Sequence, residues 1–215
     1  MRVDGCDVRI LGTIAGFVPD GDRVRRAYEA ERPDAVALGV PPEDLEGLDA
    51  LAADPTTPVP DIDPQSERLF GLLARFGATR VPSPDLEAAH GQARGDGVPI
   101  VPLDMDDETH SGLYIRLVGF RHAVRSGRIL RKIMEADFSR PEDPYGLAVA
   151  WDAYQNQLKP LQALEAAREE HMAKRLREAL DGRNRVLALV PAARFEGVLA
   201  ALEREARGSS DPTPS

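Results

Sequence analysis

The sequence predicts an α/β fold: a mostly parallel sheet of about four or more short strands flanked by helices, with a long helical segment before the last strand. Short, continuous apolar runs bounded by glycine and proline read as buried strands, and longer segments apolar at three- and four-residue spacing read as amphipathic helices. The two kinds alternate along the chain, which implies parallel strands joined by right-handed crossovers. Strand candidates that are apolar on both faces require helices above and below the sheet.

Residues 7–12 (DVRILG) form the first predicted strand, followed by a glycine-spaced loop and a helix over about residues 21–31. Arg32-Pro33 ends that helix, because proline disfavours helical geometry in the residue before it. Residues 34–40 (DAVALGV) are the second strand, stopped by Pro41-Pro42, and a short helix over 43–52 leads into a proline-rich irregular connection. Residues 66–76 are helical, with Leu69, Leu72, Leu73 and Phe76 on one stripe, and 98–103 form the third strand. From Asp106 to Asp181 the chain is predicted to be almost entirely helical, with breaks at Gly127 and over 138–144. Tyr154, Leu158, Leu161, Leu164, Met172, Leu176 and Leu180 recur at helical spacing, so one face packs inward. Pro160 starts a new helix there or kinks a long one, and Asp181-Gly182 closes the segment with a glycine suited to a left-handed cap. Residues 185–190 are the fourth strand, 196–205 the last helix, and 208–215 a disordered tail.

A chain of 215 residues with 42% hydrophobic content buries one sizeable core, so a single domain over 1–207 is expected. The net charge of −9 argues against broad attraction to nucleic acid or anionic membranes, although a local patch escapes that argument. The lone Cys6 excludes an internal disulfide and points to a reducing cytoplasm. Charged residues interrupt the N-terminus before any secretory signal forms, and no apolar run is long enough to span a membrane.

In a parallel sheet, ligands bind beyond the C-terminal ends of the strands, which singles out GTIAG, GVPPED, DMDDETH and VPAARFEG. Asp104, Asp106, Asp107, Glu108 and His110 are the densest group of hard-metal ligand types, but they lack a spaced motif and suit the N-terminus of a helix. No metal or other cofactor is therefore expected. His90, His110, His122 and His171 show no metal-binding pair, and no GxSxG nucleophile elbow occurs. Arg116, Arg121, Arg125, Arg128, Arg131 and Lys132 form a purely basic run, read as a solvated helix face or a site for a phosphate, lipid headgroup or acidic partner. Arg194 and Glu196 follow the last strand. Arg194 there either forks onto a carboxylate or phosphate ligand or makes a structural ion pair, with Glu196 or near Arg168.

Together these segments resemble the TraB/PrgY/GumN family, related to the Tiki and erythromycin-esterase-like superfamily. That family has a strand running into Gly-Thr-x-His, and ILGTIAG matches it at Gly12 and Thr13. A proline-Asp turn before a glutamate-bearing strand is matched by Pro33, Asp34 and Val36, and an isoleucine-Asp-Arg-Asp turn by Asp104 and Asp106. Glu-Arg-Asp-x-x-Met-Ala, then a strand and Gly-x-Gly-His-x-x-Gly, are echoed at Arg168, Met172, Ala173 and Gly197. The resemblance implies a metal-dependent hydrolase or protease scaffold. Its first histidine, however, aligns with Ala15, the strand glutamate with Gly39, the helix glutamate with Ala167 and the second histidine with Arg194. Alanine and glycine supply no ligand, and arginine carries no acceptor.

With those side chains lost, the resemblance implies a catalytically degenerate TraB-like domain acting as a cytoplasmic binding or regulatory module. Thr13, Arg168 and Arg194 would line a pocket for a small anionic ligand. One alternative is a rebuilt hydrolase using Asp104, Asp106 and Glu196 with a hard cation. Another is a structural subunit that pairs with itself or with an intact paralogue through the long helices.

Overall fold

Along the last strand, Val186, Ala188 and Val190 enter one apolar cluster while Leu187 and Leu189 enter another, so both faces of the sheet are covered. The computed structural model describes residues 1–3, 5–54, 56–58 and 61–208, with the side chains of 205–208 excepted. The expected tail therefore lies, beyond residue 208, outside the described residues.

The strands are β1 (Arg2–Val3), β2 (Cys6–Thr13), β3 (Ala35–Leu38), β4 (Ile100–Pro102) and β5 (Arg185–Pro191), in the spatial order β1-β2-β5-β3-β4. The last four run parallel and β1 adds antiparallel to β2. The helices are α1 (Val18–Glu31), α2 (Pro42–Ala53), α3 (Pro64–Leu73), α4 (Pro84–Asp96), α5 (Asp107–Lys132), α6 (Pro144–Gln155), α7 (Lys159–Leu180) and α8 (Phe195–Gly208). A single 3-10 turn over Ala192–Arg194 joins β5 to α8. Val24 and Tyr28 of α1 and Ala88, Ala89 and Ala93 of α4 cover one face of the sheet. Met172 and Leu176 of α7 and Val198 and Leu202 of α8 cover the other. No helix among the described residues is long and apolar enough to cross a membrane.

The structure corrects the expected elements in three places. β1 was not expected, since two residues leave no periodic signal. Nor was α4, whose buried residues are three alanines with Pro84, Asp85 and His90 rather than large apolar side chains. Small residues let α4 approach α1 closely: a Cβ built at Gly21 would meet Pro84 Cβ at 2.9 Å. The break in α5 falls at Gly119, not Gly127, because Gly119 adopts φ 60°, ψ 164°, outside the helical region. Pro160 lies in the first turn of α7, where proline is tolerated because its missing N–H would have had no partner. Asp143 caps α6 by accepting from the Gly146 N–H at 2.8 Å.

Candidate functional site

β2 leads into α1 on one face of the sheet, and its neighbour β5 leads into α8 on the opposite face. Two adjacent parallel strands whose connections part in this way open a crevice at their C-terminal ends, the place where such sheets bind ligands. A cleft of 480 Å³ lies there, lined by Ile10, Gly12, Arg23, Tyr145, Gly146, Val149, Ala192, Phe195 and Glu196. Its walls are mainly apolar, and Val149 stands 48% exposed on one side.

The polar end of the cleft is built on Asp20, which is fully buried in the first turn of α1. Its Oδ2 accepts from the Ile14 N–H at 2.7 Å, and its Oδ1 accepts from the Tyr145 hydroxyl at 2.5 Å and from Arg23 Nη1 at 2.8 Å. Arg23 Nη2 donates to the Gly12 carbonyl at 2.6 Å, and Nη1 also contacts the Tyr145 oxygen. The guanidinium lies 5.1 Å from the Tyr145 ring centroid, within cation–π range. These bonds occupy three of the five N–H donors of Arg23, leaving two without a partner among the described residues. Burial raises the Asp20 carboxyl above its usual range, against the opposing pull of Tyr145, the Ile14 N–H and Arg23.

Burial and the hydrogen bond to Asp20 push the Tyr145 phenol up to about 12. Tyr28 is raised to about 12 for the same kind of reason, with Asp96 as its partner at 3.0 Å. Both values lie above the unfolded value of 10.0, so folding favours the protonated phenols. Their contribution to stability is full below that value and is lost as pH rises towards 12. A tyrosinate absorbance titration is expected to show a late step near pH 12 that shrinks in Tyr145→Phe. A variant curve superimposable on the parent's would contradict this assignment.

Arg168 and Arg194, the two arginines expected to line an anion pocket, are engaged elsewhere. Arg168 pairs with Asp104 at 2.5 Å and with Glu165 at 2.8 Å. Arg194, 6% exposed, pairs with Glu169 at 3.0 Å and Glu165 at 3.5 Å, and contacts Asp152 directly. Two guanidinium groups thus face four carboxylates drawn from α6, α7 and the end of β4. Burial works against the charge of Arg168, but the hydrogen bond and charge of Asp104, with Glu165, outweigh it and raise its pKa. Glu169 is raised above the ordinary carboxylate range by burial, with Arg194 opposing. Of the two ion pairs open to Arg194, the one near Arg168 forms; its partners lie on α6 and α7, not at Glu196.

The remaining expected site residues are dispersed. Thr13 is buried at the end of β2 and is not among the residues lining the cleft. Glu196 is exposed at the cleft rim. Asp106 caps α5, accepting from the Thr109 N–H at 2.7 Å, a bond that holds its carboxyl below the usual range. Asp104, Asp106 and Glu196 therefore have three separate surroundings. Among the described residues, no group of three or more His, Cys, Asp or Glu side chains is placed to hold a metal ion. Ala15 is exposed in the turn after β2, Ala167 lies beside Met105 and Leu113 near α5, and Gly39 packs on β5.

Sequence reasoning missed Asp20, Arg23 and Tyr145. The Asp20–Arg23 pair has a local signal, an acid and a base three residues apart directly after a glycine-spaced strand end. Tyr145 has none, because 122 residues separate it from Arg23. The fold and cleft define a mixed α/β protein with a strand-end crevice. No family model and no curated protein sequence matches the chain.

Proposed function

We propose that this chain is a non-hydrolytic binding module on a TraB-like scaffold, and that the β2/β5 cleft receives a small, largely apolar ligand carrying one anionic group. One observation carries the proposal: Arg168 and Arg194 together face four carboxylates and are not among the residues lining the cleft, while Arg23 pairs with the single carboxylate of Asp20 and keeps two N–H donors at the head of that apolar cleft. An anionic head would meet the free donors of Arg23, and an apolar body would lie over Ile10, Val149 and Phe195. Glu196 at the rim disfavours a ligand with several negative charges.

Anilinonaphthalene sulfonate, an apolar fluorophore with one negative charge, is a direct probe. It is expected to bind saturably, one per folded chain. Loss of a charge-assisted hydrogen bond in Arg23→Gln should weaken it about tenfold. Val149→Trp, at an exposed position, should block the cleft without disturbing the core. Equal affinity in both variants and the parent would overturn the site, and tight stoichiometric zinc or manganese binding by calorimetry would overturn the non-hydrolytic assignment.

A further inference from the structure

From Ser111 to Met134 the chain carries six cations and no carboxylate, in a protein whose net charge is −9. Arg116, Arg121, Arg125, Arg128, Arg131 and Lys132 are all exposed, and none makes an ion pair or side-chain hydrogen bond among the described residues. The same helix exposes large apolar side chains: Phe120 is 85% exposed, Ile115 76% and Val124 45%. Its inner side is packed, with Val118 and Ile129 buried against Leu158, Leu161 and Leu164 of the α6–α7 region.

Beyond the Gly119 break, helical spacing places Phe120, Val124, Arg131, Arg128, Arg121, Lys132 and Arg125 within an arc of about 140°. Cations and protruding apolar groups therefore share one solvent face and are not segregated. The nearest carboxylates along the chain are Glu108, in the first turn, and Glu135, just past the end.

We propose that this outer face of α5 docks the protein onto an anionic lipid bilayer. A helix lying in the headgroup region needs cations for the lipid phosphates and apolar side chains to enter the acyl boundary; the face supplies both. From Ile115 onwards its exposed side chains include no uncharged amide or hydroxyl to give the directional hydrogen bonds of a shaped protein interface. A two-fold pairing of two copies through this face would set like charges against each other. The rest of the molecule is net acidic, so attraction to an anionic surface favours presenting α5, and carboxylates more than a Debye length away are screened.

The test is sedimentation of the full chain with vesicles of phosphatidylcholine alone and of an equimolar phosphatidylcholine–phosphatidylglycerol mixture. Pelleting is expected only with the mixture and should fall steeply with added salt. The triple variant Arg121→Gln/Arg125→Gln/Arg128→Gln should lose more than about tenfold in affinity, and Phe120→Ala should lose severalfold. All four substitutions are at exposed positions, and unchanged circular dichroism would show that the fold is kept. No pelleting with anionic vesicles at low salt, equal pelleting with both vesicle types, or variants that bind like the parent would each overturn the proposal. So would a parent that dimerises in ultracentrifugation, or binds polyglutamate, while ignoring vesicles. None of these residues lines the β2/β5 cleft, so this test fails or succeeds independently of the ligand site.

Discussion

Arg194→Met is expected to lower the unfolding free energy by about 3–5 kcal/mol, read from the midpoint of a urea transition. Methionine keeps much of the side-chain volume, so the loss is electrostatic. It leaves Glu165, Glu169 and Asp152 without the guanidinium that now pairs with all three. Glu165 keeps its closer partner Arg168 at 2.8 Å, so the uncompensated charge falls on Glu169, whose burial already disfavours its ionised form, and on Asp152. Arg194→His should be nearly as damaging, because an imidazole offers at most two donors where the guanidinium offers five.

The pH dependence of that variant carries a sign. Glu169 already has a folded pKa above its unfolded 4.5, so its protonation favours the folded state. Its contribution is greatest below 4.5 and declines as pH rises through the folded value. Removing Arg194 widens that gap, so the deficit of Arg194→Met should shrink as pH is lowered towards 4.5. A second-site Glu169→Gln should recover part of the loss. If Arg194→Met unfolds with the parent's midpoint at neutral pH, the carboxylate cluster is not a stabilising element.

Gly39→Ala is the second large effect, expected to cost about 1–3 kcal/mol, with Gly39→Glu worse. A Cβ at residue 39 would lie 2.8 Å from Pro191 Cδ, 3.0 Å from the Leu189 oxygen and 3.0 Å from Val190 Cα. These atoms are β5 backbone and a proline ring, so no rotamer change relieves the contact. The Gly39 N–H also donates to the Leu189 carbonyl at 2.7 Å, extending the β3–β5 ladder, so moving the chain aside sacrifices that bond. A glutamate placed here, where the resemblance to that family would put one, should therefore unseat β3 from β5. A Gly39→Glu chain as stable as the parent would show that the two strands separate here at little cost.

Both effects bear on how much of the molecule was legible beforehand. Strands β2, β3, β4 and β5 were visible because each is a short apolar run closed by glycine or proline, and alternation with helices made them parallel. α4 was hidden because alanines at its buried face give hardly more amphipathic signal than a loop. Asp106 was expected to serve as a helix cap or a ligand, and its bond to the Thr109 N–H makes it a cap. Arg194 does follow β5 directly, but its partners come from 25 and 42 residues away, so local spacing does not name them.

Composition and periodicity by themselves determined the layered α/β architecture, the common edge where four strand ends meet, and the isolated basic run on α5. These depend on apolar patterning and on short-range backbone preferences, which are written into neighbouring residues. Only the tertiary structure decided which charges at that edge remain available. Arg168 and Arg194 are closed by carboxylates from α6, α7 and the end of β4, while Arg23, unremarked in the sequence, faces an open cleft beside Tyr145. The energy of a charged side chain depends on the groups within a few ångströms and on its burial. Both are set largely by segments well separated along the chain: 42 residues between Asp152 and Arg194, 64 between Asp104 and Arg168, and 125 between Asp20 and Tyr145.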